Sequence, residues 1–328
     1  MVDRKLMEET LSLAAEYLEG LPDRPVGARA SVAELRKRLR TPLPERGTDP
    51  GTVIRELAGD ADGGLVACAG PRYFGFVTGG SLPAALSADW LASAWDQNAV
   101  LSIASPAAGV VEETLSDWVL ELADLPRESS VGFVTGCQMA NFTCLAAARH
   151  EVLRQAGWDV EALGLFGAPP VTVVAGEEAH ATLFVALRML GLGTERVVRV
   201  AADGQGRMDP AALGQALDGV TGPLVVCLQA GNVNTGAFDP CEKLIPLARA
   251  KGAWVHVDGA FGLWGRLLPE LAPETAGIES ADSWATDAHK WLNVPYDSGI
   301  AVVKNEAAHR ASMVLAAPYY IAAPDEVR

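Results

Sequence analysis

The sequence of 328 residues contains few lysines, few histidines and no excess of positive charge. Its 26 Lys and Arg residues stand against 41 Asp and Glu residues, which gives a formal net charge of −15 at pH 7. Because binding along a nucleic acid requires a basic surface, this balance argues against a nucleic-acid partner. The chain is 49% hydrophobic and 20% charged, which excludes a disordered protein and predicts a sizeable core.

Cysteine is scarce as well, and the paired motifs of disulfide frameworks and metal sites are missing. The five cysteines are odd in number and contain no CxxC pair: Cys68, Cys137, Cys144, Cys227 and Cys241. They are typical of reduced thiols in a cytoplasmic protein rather than of a disulfide framework. No HxH, HExxH or Cys/His pair is present, so we expect no metal site. A GxSxG motif is also missing, which excludes the common serine hydrolases.

The N-terminus lacks the uninterrupted apolar run of a signal peptide or a membrane anchor, so we expect no membrane partner. Its leucines alternate with acidic residues and predict an amphipathic helix. Residues 20–65 are rich in Pro, Gly and charge, and they include one short helical stretch, SVAELRKRLR. We therefore predict that residues 1–65 form an N-terminal helical arm, extended over much of its second half.

Residues 66–303 show the pattern of a large α/β domain. Two helical segments, ADWLASAWDQN and AGVVEETLSDWVLELADL, come first. Apolar β-like segments then alternate with helical ones: SVGFVTG, PVTVVAG, ERVVRVA, GPLVVCLQAG, AWVHVDGA, ADSWATDAH and SGIAVVKN. Strands that are apolar on both faces and separated by helices predict a mainly parallel seven-stranded sheet covered by helices. Ligands of such sheets bind at the carboxyl ends of the strands.

Two candidate residues follow directly from strand ends. Gly136 separates the strand SVGFV from a helix, whose free N–H groups and dipole could bind an anion. A small residue required by the turn is an equally good interpretation. Neither a Walker loop nor a GxGxxG motif is present. Asp258 ends the apolar strand AWVHVD, where a carboxylate is unfavourable without a cation or donors. Taken alone, a helix-capping or turn aspartate is the simpler interpretation.

Two further candidates are a lysine and a histidine. Lys290 is one of only six lysines and lies in SWATDAHKWLNVPYDSG, where flanking tryptophans indicate burial. A desolvated lysine is suited to Schiff-base formation, although most lysines extend from an exposed face. His180 follows the strand PVTVVAG and opens a helix. A lone histidine there is more often a hydrogen-bonding residue at the helix start than a catalytic one.

The ordered set of glycine turn, His180, HVDGA and DAHKW resembles the group II pyridoxal-phosphate-dependent amino acid decarboxylases. These include the aromatic-L-amino-acid and glutamate decarboxylases, with the fold-type-I architecture of aspartate aminotransferase. The resemblance runs from about Pro71 to the end of the chain, and HKW is its most specific element. It implies pyridoxal 5'-phosphate as cofactor and a PLP-binding domain over residues 66–303.

The resemblance also implies roles for single residues. Asp258 would pair with the pyridine nitrogen, Lys290 would form the Schiff base, and His180 would stack on the ring, so these three are the predicted catalytic residues. The glycine-rich phosphate turn matches Gly136, Cys137 and Gln138, and His289 would lie near the phosphate. The full set of predicted cofactor-binding residues is Gly136, Cys137, Gln138, His180, Asn232, Asp258, Ala260, His289 and Lys290.

Three positions depart from the family pattern. Cys137 stands where a small residue is usual, which a backbone N–H contact would tolerate. Val233 stands near a threonine that contacts the cofactor in many relatives, which leaves Asn232 for that contact. Asp287 stands where Asn or Ser is common near the phosphate, and a carboxylate there would repel the phosphate unless it bonds a donor.

The function implied is that of a carboxy-lyase in amino acid metabolism, which converts an L-amino acid to the amine and carbon dioxide. The family is homodimeric, so a homodimer is expected. Another fold-type-I reaction, such as transamination, aldol cleavage or desulfuration, remains open. Relatives carry a further C-terminal domain, and residues 304–328 are predicted to be the start of an incomplete one. A cofactor-binding but non-catalytic truncated chain is therefore a further alternative.

Overall fold

The computed structural model describes residues 2–314 and divides into two compact units, with the division between Gly80 and Ser81. The domain bounds that we predict, 1–65, 66–303 and 304–328, stay a prediction. Of the last region, the structure describes only the part through Val314, and residues 315–328 lie outside the described residues.

The first unit contains three helices: α1 (Arg4–Gly20), α2 (Val32–Leu39) and α3 (Pro50–Asp62). The predicted helices α1 and α2 are confirmed, and Ser31 and Glu34 form a capping box at the start of α2. The expectation of extended chain over residues 50–62 is wrong. Pro and Gly at its start suggest a helix breaker, but proline suits the first helical turn and Asp49 caps the helix, accepting a hydrogen bond from Thr52 N at 2.9 Å.

The second unit is built from a sheet and the helices around it. The helices are α4 (Pro83–Trp95), α5 (Pro106–Leu122), α6 (Cys137–Gln155), α7 (Val160–Leu163), α8 (Ala181–Met189), α9 (Pro210–Leu217), α10 (Cys241–Arg249) and α11 (Glu306–Met313). Short 3₁₀ helices span Gly262–Leu267, Pro269–Leu271 and Ile278–Ser280. The strands are β1 (Ser130–Val134), β2 (Thr172–Gly176), β3 (Val198–Val200), β4 (Leu224–Gln229), β5 (Trp254–Asp258), β6 (Ser283–Asp287) and β7 (Gly299–Val303).

The seven predicted strands are confirmed and form one sheet in the order β1-β7-β6-β5-β4-β2-β3. The neighbours β6, β5, β4, β2 and β3 pair in parallel. Strand β7 is antiparallel to both β1 and β6, so β1 runs in the same direction as the other strands. The carboxyl ends of six strands therefore lie along one edge of the sheet, together with the start of β7.

Alternating side chains of the central strands supply two separate cores. Val255 and Val257 of β5 pack into the cluster on one face of the sheet. Trp254 belongs to the cluster on the other face, which also holds the small residues of α6, such as Ala140 and Ala147. These alanines let α6 pack closely on the sheet, and the start of α6 thereby lies at the edge where the strands end. Among residues 2–314 no helix is long and apolar enough to cross a membrane.

Candidate active site

Two neighbouring strands end in aspartates at the edge where the predicted site residues gather. Asp258 is the last residue of β5 and Asp287 is the last residue of β6, and the parallel register pairs Asp258 with Ala285. Both carboxylates are buried. Buried carboxylates are stable only where donors or cations meet them, so their partners define what the site can do.

Asp258 is held by three donors. Its Oδ2 atom accepts a hydrogen bond from Asn141 Nδ2 at 3.0 Å, and its Oδ1 atom accepts one from Ala260 N at 3.2 Å. The Sγ atom of Cys137 lies 3.5 Å from Oδ1. Burial, and then the charges of Asp258 and Asp287, raise the pKa of the Cys137 thiol well above its ordinary value. The group therefore stays a thiol and can donate to Asp258.

Asp287 is held by three groups, all of which belong to residues predicted to bind the cofactor. Its Oδ1 atom accepts from Cys137 N at 2.5 Å, and its Oδ2 atom lies 2.9 Å from Lys290 Nζ. The Nε2 atom of His289 lies 3.3 Å from Oδ1. Because His289 Nδ1 accepts a hydrogen bond from Ser298 N at 3.0 Å, the ring proton lies on Nε2 and points to Asp287.

The environment of His289 disfavours its protonated form. Burial lowers the pKa of His289, the nearby Lys290 lowers it further, and the Asp287 carboxylate opposes both effects. The imidazole stacks on Tyr296, with ring centroids 4.2 Å apart. His289 is thus neutral and fixed in orientation, and its Nε2–H group points to the carboxylate of Asp287.

The turn between β1 and α6 lies against His289 and Asp287. A β-carbon on Gly136 would lie 3.3 Å from His289 Cε1 and 3.5 Å from Asp287 Oδ1, so both side chains approach the bare backbone closely. The anion site predicted around Gly136 stays a prediction. The N–H of Cys137 at the first turn of α6 donates to a carboxylate, as expected where the helix dipole is positive. Cys137 contacts both Asp258 and Asp287, so the glycine turn, both aspartates and Lys290 form one cluster.

Three predicted site residues at the same sheet edge do not join the cluster, and two of them, His180 and Asn232, bond elsewhere. Among residues 2–314 no hydrogen bond or ion pair joins His180, Gln138 or Asn232 to the cluster. His180 is exposed and caps α8, with Nδ1 2.8 Å from Thr182 Oγ1. Asn232 is buried, and its Oδ1 atom accepts from Asn234 N at 2.9 Å within its own turn. Their roles toward a cofactor stay a prediction.

Sequence reasoning missed two residues behind Asp258, namely Asn141 and His256. His256 Nε2 lies 2.8 Å from Asn141 Oδ1, and both side chains are fully buried. A signal for His256 is present in WVHVD, because period-two alternation places it on the same face of β5 as Asp258. For Asn141 the signal is weaker: it lies one helical turn after Cys137, on the side of α6 that faces the sheet.

The sequence matches one family model and is similar to several curated proteins. A family model described as the pyridoxal-dependent decarboxylase conserved domain matches residues 34–326. An aromatic-L-amino-acid decarboxylase of Bacillus atrophaeus is 29% identical over 306 residues, covering 92% of this chain and 62% of the relative. An L-2,4-diaminobutyrate decarboxylase of Rhizobium meliloti is 31% identical over 270 residues, covering 81% of this chain and 52% of the relative.

Solved structures show the same fold. The crystal structure of Oryza sativa TDC with PLP and tryptamine matches with a TM-score of 0.88 and 26% identity, covering 98% of this chain and 67% of that one. Mouse CSAD matches with a TM-score of 0.87 at 22% identity, covering 97% of this chain and 68% of that one. The chain thus spans about three fifths or less of the length of the two curated relatives described above.

Proposed function

The chain belongs to the pyridoxal-dependent decarboxylase family, and we propose that it converts an L-amino acid to the amine and carbon dioxide with pyridoxal 5'-phosphate. One observation carries the proposal. The buried carboxylate of Asp258, the amine of Lys290 and the first turn of α6 lie in one cluster at the carboxyl edge of the sheet, linked through Cys137 and Asp287. A lysine, an acid and an anion site together are what a pyridoxal-phosphate enzyme requires.

The donors present fit the cofactor. Cys137 N and His289 Nε2 already surround the carboxylate of Asp287, so this point of the site has the donor chemistry that a phosphate needs. We assign the phosphate to the turn Gly136–Gln138 and to His289, and the ring nitrogen to Asp258. His180, Asn232 and Ala260 are assigned further cofactor contacts. When bound, the cofactor supplies an electron sink for the bond that breaks at the substrate Cα.

The residues of the chain have separate tasks in this reaction. Lys290, whose side chain is 21% exposed, would hold the cofactor through its nucleophilic amine. Asp287 Oδ2 orients the Nζ atom of Lys290 from 2.9 Å. Asp258 supplies a fixed negative charge to the ring nitrogen. Loss of carbon dioxide also depends on how the chain would orient the carboxylate of the substrate.

The first experiment tests Lys290. The purified protein with pyridoxal 5'-phosphate should show a visible absorbance band that borohydride reduction removes, and peptide mapping should find the reduced adduct on Lys290. Lys290→Ala should lose the band, whereas Lys304→Ala, which changes a lysine at the end of β7, should keep it. If Lys290→Ala retains the band and the adduct, the assignment is wrong.

The second experiment distinguishes decarboxylation from the alternatives. A panel of aromatic, acidic and diamino L-amino acids should yield amine and carbon dioxide from at least one member. Transamination, aldol cleavage and desulfuration share the lysine and the aspartate but release no carbon dioxide from the α-carboxylate. A protein that binds the cofactor and converts no member of the panel would favour the non-catalytic alternative.

We also propose a homodimer in the cytoplasm. Large apolar side chains lie exposed along α4 and α5, among them Trp95, Val111 and Trp118, the last of which is 61% exposed. A second copy of the chain would bury them, as the family resemblance implies. All five cysteines are free, which supports a reducing compartment. Light scattering should give twice the chain mass, and Trp118→Glu should shift it toward the monomer, unlike Glu121→Gln on the same helix. A monomeric parent would contradict the dimer.

A further inference from the structure

A chain of buried hydrogen bonds runs beneath the site and ends on Asp258. Trp254 Nε1 lies 2.9 Å from Ser283 Oγ, and Ser283 Oγ lies 2.9 Å from His256 Nδ1. His256 Nε2 lies 2.8 Å from Asn141 Oδ1, and Asn141 Nδ2 lies 3.0 Å from Asp258 Oδ2. The chain thus connects the start of β5 with its end through side chains of β6 and α6.

The fold explains why these residues meet. Trp254, His256 and Asp258 alternate with two valines, so all three project from the face of β5 that α6 covers. The parallel register places Ser283 of β6 beside His256. Asn141, one turn into α6, lies between His256 and Asp258 and contacts both with its amide.

The carboxylate end of the hydrogen-bond chain fixes its direction. A carboxylate can only accept, so the Asn141 N–H₂ group faces Asp258 and Asn141 Oδ1 accepts from His256 Nε2. The imidazole, which burial keeps neutral, then has no proton on Nδ1, so Nδ1 accepts from Ser283 Oγ. Ser283 Oγ in turn accepts from the indole N–H of Trp254. Every bond dipole therefore points its positive end toward Asp258.

Burial keeps the hydrogen-bond chain intact and its histidine neutral. The side chains of Asn141, His256 and Ser283 are fully buried, so water does not compete for their bonds. Burial lowers the pKa of His256 to about 4, although the charge of Asp258 opposes this. The imidazole is therefore neutral near pH 7, with one donor and one acceptor, as the chain requires.

We propose that Asn141 and His256 are positioning residues for Asp258: the one-directional chain from Trp254 fixes the carboxylate and stabilises its negative charge for contact with the ring nitrogen of the cofactor. Neither residue touches the cofactor in this role. The inference rests on the proposed function, because it takes Asp258 as the partner of that nitrogen. A hydrogen bond to a charged group is stronger than one between neutral groups, so the last link, Asn141 to Asp258, should have the largest effect.

The hydrogen-bond chain could instead have a purely structural role and only join α6 to the sheet. A binding experiment distinguishes that role from the positioning of Asp258. The protein is titrated with pyridoxal 5'-phosphate and, separately, with its deaza analogue, in which a C–H group replaces the ring nitrogen. Asn141→Leu keeps the size of the side chain but removes the donor to Asp258. It should weaken binding of pyridoxal 5'-phosphate at least about tenfold and leave binding of the analogue within about twofold.

Two further variants make the result specific. His256→Gln retains an N–H donor that can reach Asn141, so it should recover most of the affinity that His256→Leu loses. His309→Leu is the matched control, since His309 is also buried and its Nδ1 atom lies 2.9 Å from a serine oxygen, that of Ser130, in a contact separate from the chain. It should bind both ligands as the parent does.

Imidazole ¹⁵N chemical shifts of the cofactor-free protein test the chain without any ligand. His256 should carry its proton on Nε2 and have a bare Nδ1 at pH 7. A proton on Nδ1, or equal losses for both ligands in Asn141→Leu, would overturn the inference while leaving the proposed function intact. A parent protein that binds neither ligand would instead overturn the proposed function, and the inference with it.

Discussion

Asp258 and Asp287 end two adjacent parallel strands and are both buried, yet their partners differ in kind. Asp258 accepts hydrogen bonds from Asn141, which is part of the buried hydrogen-bond chain, from the backbone of Ala260 and from the thiol of Cys137. Asp287 is bonded by Cys137 N, His289 and Lys290, which are the groups assigned to the cofactor. Asp258 therefore has one partner, Asn141, that belongs only to the scaffold, whereas every partner of Asp287 is assigned to the cofactor.

This difference separates two tasks within one cluster. The bond from Asn141 to Asp258 can persist when a ligand binds, because Asn141 is not among the residues assigned to the cofactor. Two of the donors around Asp287, Cys137 N and His289 Nε2, must be shared with an incoming phosphate, because they are also assigned to the phosphate. Replacing each aspartate by its neutral isostere should therefore give effects of opposite sign on cofactor binding.

The largest effect is expected for Asp258→Asn. The amide can still accept a bond from Asn141, so the fold should be retained, but the negative charge that faces the ring nitrogen is lost. We expect the rate of amine formation at saturating cofactor to fall on the order of 10²–10³-fold, the range found when a key electrostatic contact is removed. Circular dichroism checks the fold, and a rate within tenfold of the parent would contradict the role of Asp258.

A second prediction concerns the backbone that supports Asp287. Gly299 at the start of β7 packs directly on the backbone of Gly136, and a β-carbon there would overlap with its Cα, C and N atoms. Gly299→Ala should therefore destabilise the protein by about 1–3 kcal/mol and also weaken cofactor binding. Gly214→Ala, in α9 with no heavy atom within 4 Å of the added carbon, should be neutral or slightly stabilising in urea unfolding. Equal stability of the two variants would show that the contact between the glycines is not tight.

A third prediction concerns pH and the chain behind Asp258. The pKa of His256 is about 4 in the folded protein, against an ordinary value of 6.5, so between these values the unfolded chain binds a proton that the folded one does not. Stability should therefore fall as the pH drops below 6.5, by about 2 kcal/mol between pH 7 and pH 5 from this residue. His289 and His309, whose pKa values are also lowered by burial, change stability in the same direction.

The contribution of His256 to the pH dependence of stability can be isolated by comparing the parent with a variant at two pH values. Urea unfolding of the parent and of His256→Gln at both pH values should give a pH-dependent loss that is smaller in the variant by about 2 kcal/mol. An unchanged loss would mean that His256 is protonated in the folded state, and the directional chain could then not exist as described.

The same contrast explains what could be predicted from the sequence. The central strands were predictable because they are buried on both faces and appear as continuous apolar runs, as in LVVCLQ of β4. Asp258 and Gly136 were candidates because they stand at or just after the end of an apolar run, and Lys290 was a candidate because of the tryptophans around it. Their roles toward a cofactor stay predictions. Helix α3 was missed because Pro50 and Gly51 resemble helix breakers, although proline is compatible with the first turn.

The residues that hold Asp258 in place were not predictable from local sequence patterns. His256 and Asn141 lie 115 residues apart in sequence, and they meet only through the packing of α6 on β5. The partners of Asp287 were partly predictable, since His289 and Lys290 follow it in the chain. The bond from Cys137 N, however, spans 150 residues and depends on the order of the strands in the sheet. Local patterns thus indicated the functional groups but not the scaffold that holds them.

The smallest expected effect, and the sharpest contrast with Asp258, is that of Asp287→Asn. The amide removes a negative charge from the point where we assign the phosphate, so pyridoxal 5'-phosphate should bind up to about tenfold more tightly, which is about 1.4 kcal/mol. The gain should shrink as ionic strength rises, because the repulsion that it removes is electrostatic. Equilibrium dialysis at two salt concentrations measures both effects.

Pyridoxal, which lacks the phosphate, is the control ligand for this variant. Its binding should not improve in Asp287→Asn, because it brings no anion to the turn at Gly136. If the variant instead binds pyridoxal 5'-phosphate more weakly, Asp287 holds the donors in place for the phosphate rather than competing with it. The two aspartates would then share one role, and the contrast drawn from their partners would fail.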